Sequence, residues 1–163
     1  MTAMEHRVAA LVAFYRQVET ERMQGIPILN PALSVEAVGF RKTTDDEAVA
    51  EGVLITPWFM SLVRLPLAVI GHGGRVGRKQ VHAFGTERFE FIGAHDPVLG
   101  FHESCALFSP MNDFGHQALA RETAQEVMTA LKPVETPPAA APEVPPRRAF
   151  LFGRSGASLG RSS

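Results

Sequence analysis

Residues 88–108 read RFEFIGAHDPVLGFHESCALF, and this stretch decides the fold class. From Arg88 to Ile92 the residues alternate, with Phe89 and Phe91 to one side and Arg88 and Glu90 to the other. Successive side chains of a β-strand point to opposite faces, so one face of this strand is buried. Leu99 to Phe108 alternates too, with Phe101, Cys105 and Leu107 together on one side. Consecutive strands with turns between them favour an antiparallel sheet.

Upstream, Ser34–Lys42 is rich in β-compatible residues, and Lys79–Phe84 reads as a short strand. Gly52–Leu67 is strongly apolar and reads as one strand, with Pro57 arguing for an edge position or a bulge. At the N-terminus, Thr2 and Glu5 have capping-box spacing, and Val8, Leu11, Val12, Tyr15 and Val18 recur at helical spacing. Gly25 and Pro27 supply the stop, so a helix is predicted over about 3–23. Ser109-Pro110 is expected to open a second helix, Ser as cap and Pro at the first position. Its apolar face is Ala120, Ala124, Val127, Met128 and Leu131, and Pro133 ends it. The expected architecture is α+β: an antiparallel sheet of about five strands, with the N-terminal and C-terminal helices packed on one face.

The average composition hides a boundary. The 163 residues carry a formal charge of −1, but residues 1–132 carry −3 and residues 133–163 carry +2. Six of the twelve prolines follow Lys132. Chain rich in Pro and Ala cannot bury enough apolar area to offset its ordering entropy. Two units are therefore expected: a folded domain over 1–132, and a Pro-rich linker with a basic disordered tail over 133–163. The near-neutral balance argues against a nucleic-acid partner. No run of about 18 apolar residues is available for membrane insertion, and no secretory leader is read at the N-terminus, so a cytoplasmic protein is the default expectation. The single cysteine, Cys105, excludes a disulfide or a four-cysteine metal site within this chain.

Four motifs call for weighing. His95, Asp96, His102 and Glu103 lie near Cys105 and suggest a small metal site or enzyme. Against this, His102 and Cys105 are three positions apart and face opposite ways on a strand. Gly71–Lys79 resembles a phosphate loop, yet a strand follows where a helix would be needed, so a hairpin loop is expected. Thr56-Pro57-Trp58-Phe59-Met60 sets the only Trp beside Phe and Met, which is either core or a protein-binding surface. Arg147, Arg148, Phe150 and Leu151 form the RR-x-F-L core of a twin-arginine export signal, but at the wrong end of the chain and with no apolar run after it.

Several blocks together resemble the HybE-type assembly chaperones of [NiFe]-hydrogenases, the group that includes HoxT and HupJ. They are Arg22-Met23, Pro27–Pro31 (PILNP), Val35–Phe40, Gly52–Met60, Phe91–His95 and Ser104–Met111, in the same order and with similar gaps. The resemblance implies a non-enzymatic maturation factor without catalytic residues. It also implies, as partners, the iron–sulfur small-subunit precursor with its twin-arginine signal, and in some cases the large subunit or other maturation proteins. Some relatives carry a fused rubredoxin, which needs four cysteines, so no iron site, other metal or cofactor is expected here.

A chaperone needs adaptable apolar contacts and a charge complement. Met23, Pro57, Trp58, Phe59, Met60 and Met111 are the candidates for the first. Glu36, Asp45, Asp46, Glu47 and Glu51 are the candidates for the second, with the acidic turn and the Trp58 region acting together on a cationic, apolar signal. The tail motif is expected to imitate the client's signal in the same groove, on a linker that reaches about 40 Å.

Overall fold

The computed structural model describes residues 2–133. The tail motif at Arg147, Arg148, Phe150 and Leu151 lies outside the described residues. Helix α1, Ala3–Val18, opens with the expected reciprocal cap: the Glu5 amide donates to Thr2 Oγ1 at 3.1 Å, and the Thr2 amide to Glu5 Oε1 at 2.9 Å. It continues as a wider π-helical turn over Glu19–Met23.

Six strands follow: β1 Glu36–Lys42, β2 Val49–Ile55, β3 Met60–Pro66, β4 Lys79–Phe84, β5 Glu87–Asp96 and β6 Gly100–Phe108. They form one antiparallel sheet in the order β1-β2-β3-β6-β5-β4. The α+β architecture is as expected, but the apolar run Gly52–Leu67 is two strands and not one. Thr56 makes the turn between them. Its amide donates to the Phe59 carbonyl at 2.8 Å, and its hydroxyl oxygen accepts from the amides of Trp58 and Phe59 at 3.2 and 2.9 Å. Pro57 therefore sits in a turn between two interior strands, not on a sheet edge.

A strand buried on both faces shows no alternation. Every residue of β3 and all but the first of β2 are buried. The reason is that the helices lie on opposite faces, which corrects the expectation of one shared face. Helix α1 covers Leu54, Val63 and Leu65, while α2 (Gln117–Ala130) covers Val53, Ile55, Leu62, Phe89 and Phe91. Helix α2 also begins seven residues later than Pro110, capped by His116 Nδ1, which accepts from the Leu119 amide at 3.2 Å. The intervening chain is held as a turn because Met111 and Phe114 enter the core and the Phe114 amide donates to the Met111 carbonyl.

Both sheet edges reach the end of α2, so the sheet wraps around it. Arg41 on β1 donates to the carbonyls of Met128 and Leu131 at 3.3 and 2.9 Å, satisfying acceptors a helix end leaves open. Gly85, in the turn after β4, approaches Leu131 so closely that a Cβ there would fall 1.3 Å from its carbonyl oxygen.

Candidate functional site

Three separated sequence blocks meet at one end of the sheet, where β2 ends and β3 begins. Asn30, from the PILNP block, joins them. Its amide donates to the Pro57 carbonyl at 2.9 Å, and its side-chain nitrogen donates to the carbonyls of Met111 and Phe114 at 2.9 and 2.8 Å. Its side-chain oxygen accepts from the Ala32 amide. One asparagine thus fixes the loop before β1, the Thr56–Phe59 turn and the connection to α2.

The apolar groups around this end divide into surface and support. Trp58 and Phe59 are half-buried, edge to face with ring centroids 5.5 Å apart, and Phe59 packs in turn on Tyr15 at 5.7 Å. Met23 is half-buried, and Ile28 and Phe108 are 43% and 39% exposed. Pro57 is buried, and Met60 and Met111 are 0% exposed members of the core. These three support the turn from beneath, which corrects their reading as contact surface: Met60 pairs inside the sheet and Met111 is drawn under Asn30.

The charge complement changes as well. Arg121 Nε donates to Glu36 Oε2 at 2.7 Å, and this hydrogen bond holds the Glu36 carboxyl below its usual range. Glu51 is buried and takes Arg41 Nε at 2.9 Å, while burial pushes its carboxyl up. Asp45, Asp46 and Glu47 are exposed but belong to the turn between β1 and β2, at the opposite end from Trp58.

That opposite end holds a feature that motif reading missed. Arg41, Glu51, Arg64 and Glu103 are successive cross-strand partners on β1, β2, β3 and β6. Arg64 Nε lies 3.8 Å from Glu103 Oε1, and Glu103 Oε2 lies 3.0 Å from His82 Nε2. The one signal in the sequence was Arg64 interrupting an apolar run.

The alternative grouping of His95, Asp96, His102 and Glu103 does not converge. Glu103 faces His82 and Arg64, whereas His102 points to the α1 side, its Nε2 3.1 Å from the Tyr15 hydroxyl. His102 Nδ1 lies 3.4 Å from the Gly100 carbonyl, which only accepts, so Nε2 is the acceptor of the Tyr15 proton. Burial holds the His102 imidazole below its usual range and pushes the Tyr15 phenol up to about 12. His95 meets His72 edge to face with ring centroids 4.9 Å apart, and Asp96 accepts from the amides of Val98 and Leu99. Among the described residues, no three His, Cys, Asp or Glu side chains are grouped to hold a metal. No helix among them is long and apolar enough to cross a membrane.

Residues 6–153 match the family described as "[NiFe]-hydrogenase assembly, chaperone, HybE". The chain belongs to the HybE family. Protein HoxT of Cupriavidus necator is 42% identical, over 91% of this chain and 89% of its own length. The hydrogenase expression/formation protein HupT of Azotobacter chroococcum is 39% identical over 94% and 99%. The probable rubredoxin HupJ of Rhodobacter capsulatus is 38% identical, over 78% of this chain but 45% of that protein. The solution structure of HybE from Escherichia coli shares the fold, with a TM-score of 0.56 at 19% identity, covering 86% of each chain. The HybE family role is chaperoning in [NiFe]-hydrogenase assembly. That role implies hydrogenase subunits or other maturation factors as partners.

Proposed function

We propose that this HybE-family chain binds the hydrogenase small-subunit precursor in the cytoplasm through the Trp58 end of the sheet, and that the twin-arginine signal is part of what it holds. The reading rests on one observation: Asn30 ties three sequence blocks into a fixed end that presents Trp58, Phe59, Ile28 and Phe108. Aromatic groups on a rigid base are the usual anchors of protein recognition. Trp58 and Phe59 take the apolar part of the signal. Asp45, Asp46 and Glu47 attract its cationic part, but from the far end of β2, roughly 20 Å away. An extended client segment of about seven residues spans that length. The chain acts by binding, without catalysis, and the large subunit is a second client of the same end.

The test is recovery of the small-subunit precursor on the full chain and on its Trp58→Ala variant. Recovery should fall about tenfold or more, as for a central aromatic anchor. Equal recovery from both removes Trp58 from the site. Neutralising Asp45, Asp46 and Glu47 should lower the association rate and its salt dependence more than the residence time. The tail motif at Arg147, Arg148, Phe150 and Leu151 is proposed to compete with the client for this end. Deleting 133–163 should then tighten client binding, because a tethered competitor acts at an effective concentration of about mM. Unchanged affinity overturns the competition.

A further inference from the structure

Beyond the end of α2, the sheet face that the helix covers continues into a cavity of about 420 Å³. Its floor is the end of β3 and the start of β6, and its wall is the loop between β3 and β4. Arg64, Arg75, His82, Glu103 and Asp46 line it, together with Phe101, Ile70 and Pro66. The volume is in the range that small ligands occupy, and the mixture of an apolar wall with a few polar groups is that of a binding site.

The charges there are unequally satisfied. Arg41 makes three hydrogen bonds. Glu103 accepts from His82, and Arg75 donates to the carbonyls of His72 and Gly71 while stacking on Phe101 at 3.9 Å. Arg64 is different. Its side chain is 7% exposed, its Nε and Nη1 have no hydrogen-bond partner among the described residues, and its carboxylate neighbour stands off at 3.8 Å. A buried guanidinium with open donors costs more than a neutral group would, and such groups are nearly always met by protein, water or ligand.

We infer that the cavity binds a carboxylate carried on an apolar body, with Arg64 as its cationic anchor. A guanidinium takes a carboxylate in plane along one edge, so the ligand meets Nη2 together with either Nε or Nη1, the two open donors standing on different edges. Two further observations select this class over other anions. Glu103 and Asp46 share the cavity with the two arginines, so a monoanion is tolerated better there than a phosphate dianion. Ile70, 38% exposed, and Ala68 offer a surface for the hydrocarbon part, not for a second charge, with Pro66 and Phe101 behind them. The carboxylate has two sources, a free small acid or the terminal carboxylate of a polypeptide. The site is at the opposite end of the sheet from Trp58 and stands whether or not that end binds the precursor.

The experiment follows the Arg64 side-chain Nε–H resonance of the full chain by NMR during four titrations: sodium butyrate, an N-acetylated tripeptide ending in leucine, the same tripeptide as its C-terminal amide, and inorganic phosphate. The expected result is a saturable shift with the free-acid tripeptide and at least tenfold weaker binding of its amide and of phosphate. Saturation by butyrate as well identifies a free acid as sufficient, and saturation by the tripeptide alone identifies a polypeptide terminus. Arg64→Lys keeps the charge and loses the planar fork, so it should weaken binding about tenfold or more. If that variant does not fold, the wild-type resonance decides. A resonance unmoved by either acid leaves water as the partner of Arg64 and overturns the proposal. Equal binding of acid and amide, of acid and phosphate, or of wild type and Arg64→Lys overturns it too.

Discussion

The two ends of the sheet solve the same problem with different chemistry. At the Trp58 end the polar groups in need of partners are backbone carbonyls and amides, and Asn30 alone meets those of Pro57, Met111 and Phe114. At the opposite end they are side-chain charges, set one per strand in a row from Arg41 to Glu103, and Arg64 is left open. The first arrangement produces a fixed apolar surface. The second lines a polarised cavity with a guanidinium that the described residues leave partly unpaired. A rigid end suits a large partner that must find the same surface each time, and an incomplete row suits a ligand that completes it.

The comparison breaks first, and with the largest effect, at Glu103. Replacing it by Leu removes the partner of both Arg64 and His82 at once. Leaving a buried charge without its partner costs about 3–5 kcal/mol, which urea unfolding would read as a large drop in the midpoint. Asn30→Ala should cost less, about 2 kcal/mol, because neutral hydrogen bonds are lost and the exposed rim lets water replace them in part. A greater loss at Asn30 than at Glu103 would mean that the charged row is already dissipated by water, and that the two ends do not differ as described.

These ends were not equally legible. The apolar end was encoded in contiguous blocks, and Trp58 and Phe59 were picked out directly from their neighbours in sequence. What sequence could not separate was surface from support: Met60 and Met111 have the same chemistry as Met23, and only the register of β3 and the pull of Asn30 bury them. The charged row was invisible for a related reason. Its members are spread from residue 41 to residue 103, and strand register, which no local pattern reports, makes them neighbours. In the fold itself, the Thr2–Glu5 cap and the Phe89/Phe91 alternation were readable because each is local. The split of Gly52–Leu67 was not, because Thr56 builds the turn with its hydroxyl, without Gly or Asn in the turn. The start of α2 was misplaced because Ser109-Pro110 carries the usual opening signal while the working cap is a histidine, His116.

The smallest expected effect sharpens the contrast by testing a polar pair that carries no charge. Between the two ends, on the α1 side, His102 is buried and neutral, accepting the Tyr15 proton at Nε2. Burial is the largest cause of its lowered pKa. In the unfolded chain the imidazole takes a proton near pH 6.5, whereas the folded site refuses it until the pH is lower. Below about pH 6.5 the unfolded state therefore binds more protons, and stability falls as pH falls, by at most about 1.4 kcal/mol per pH unit from this one group. Urea midpoints at pH 7.0 and pH 5.5 should differ more for the wild type than for His102→Gln, which keeps an acceptor for Tyr15 and has nothing to protonate. The charged row changes both proteins alike, so the difference between their slopes isolates the neutral pair. Equal slopes would mean that His102 is protonated in place, and the α1 side of the sheet would then have to be counted with the charged end.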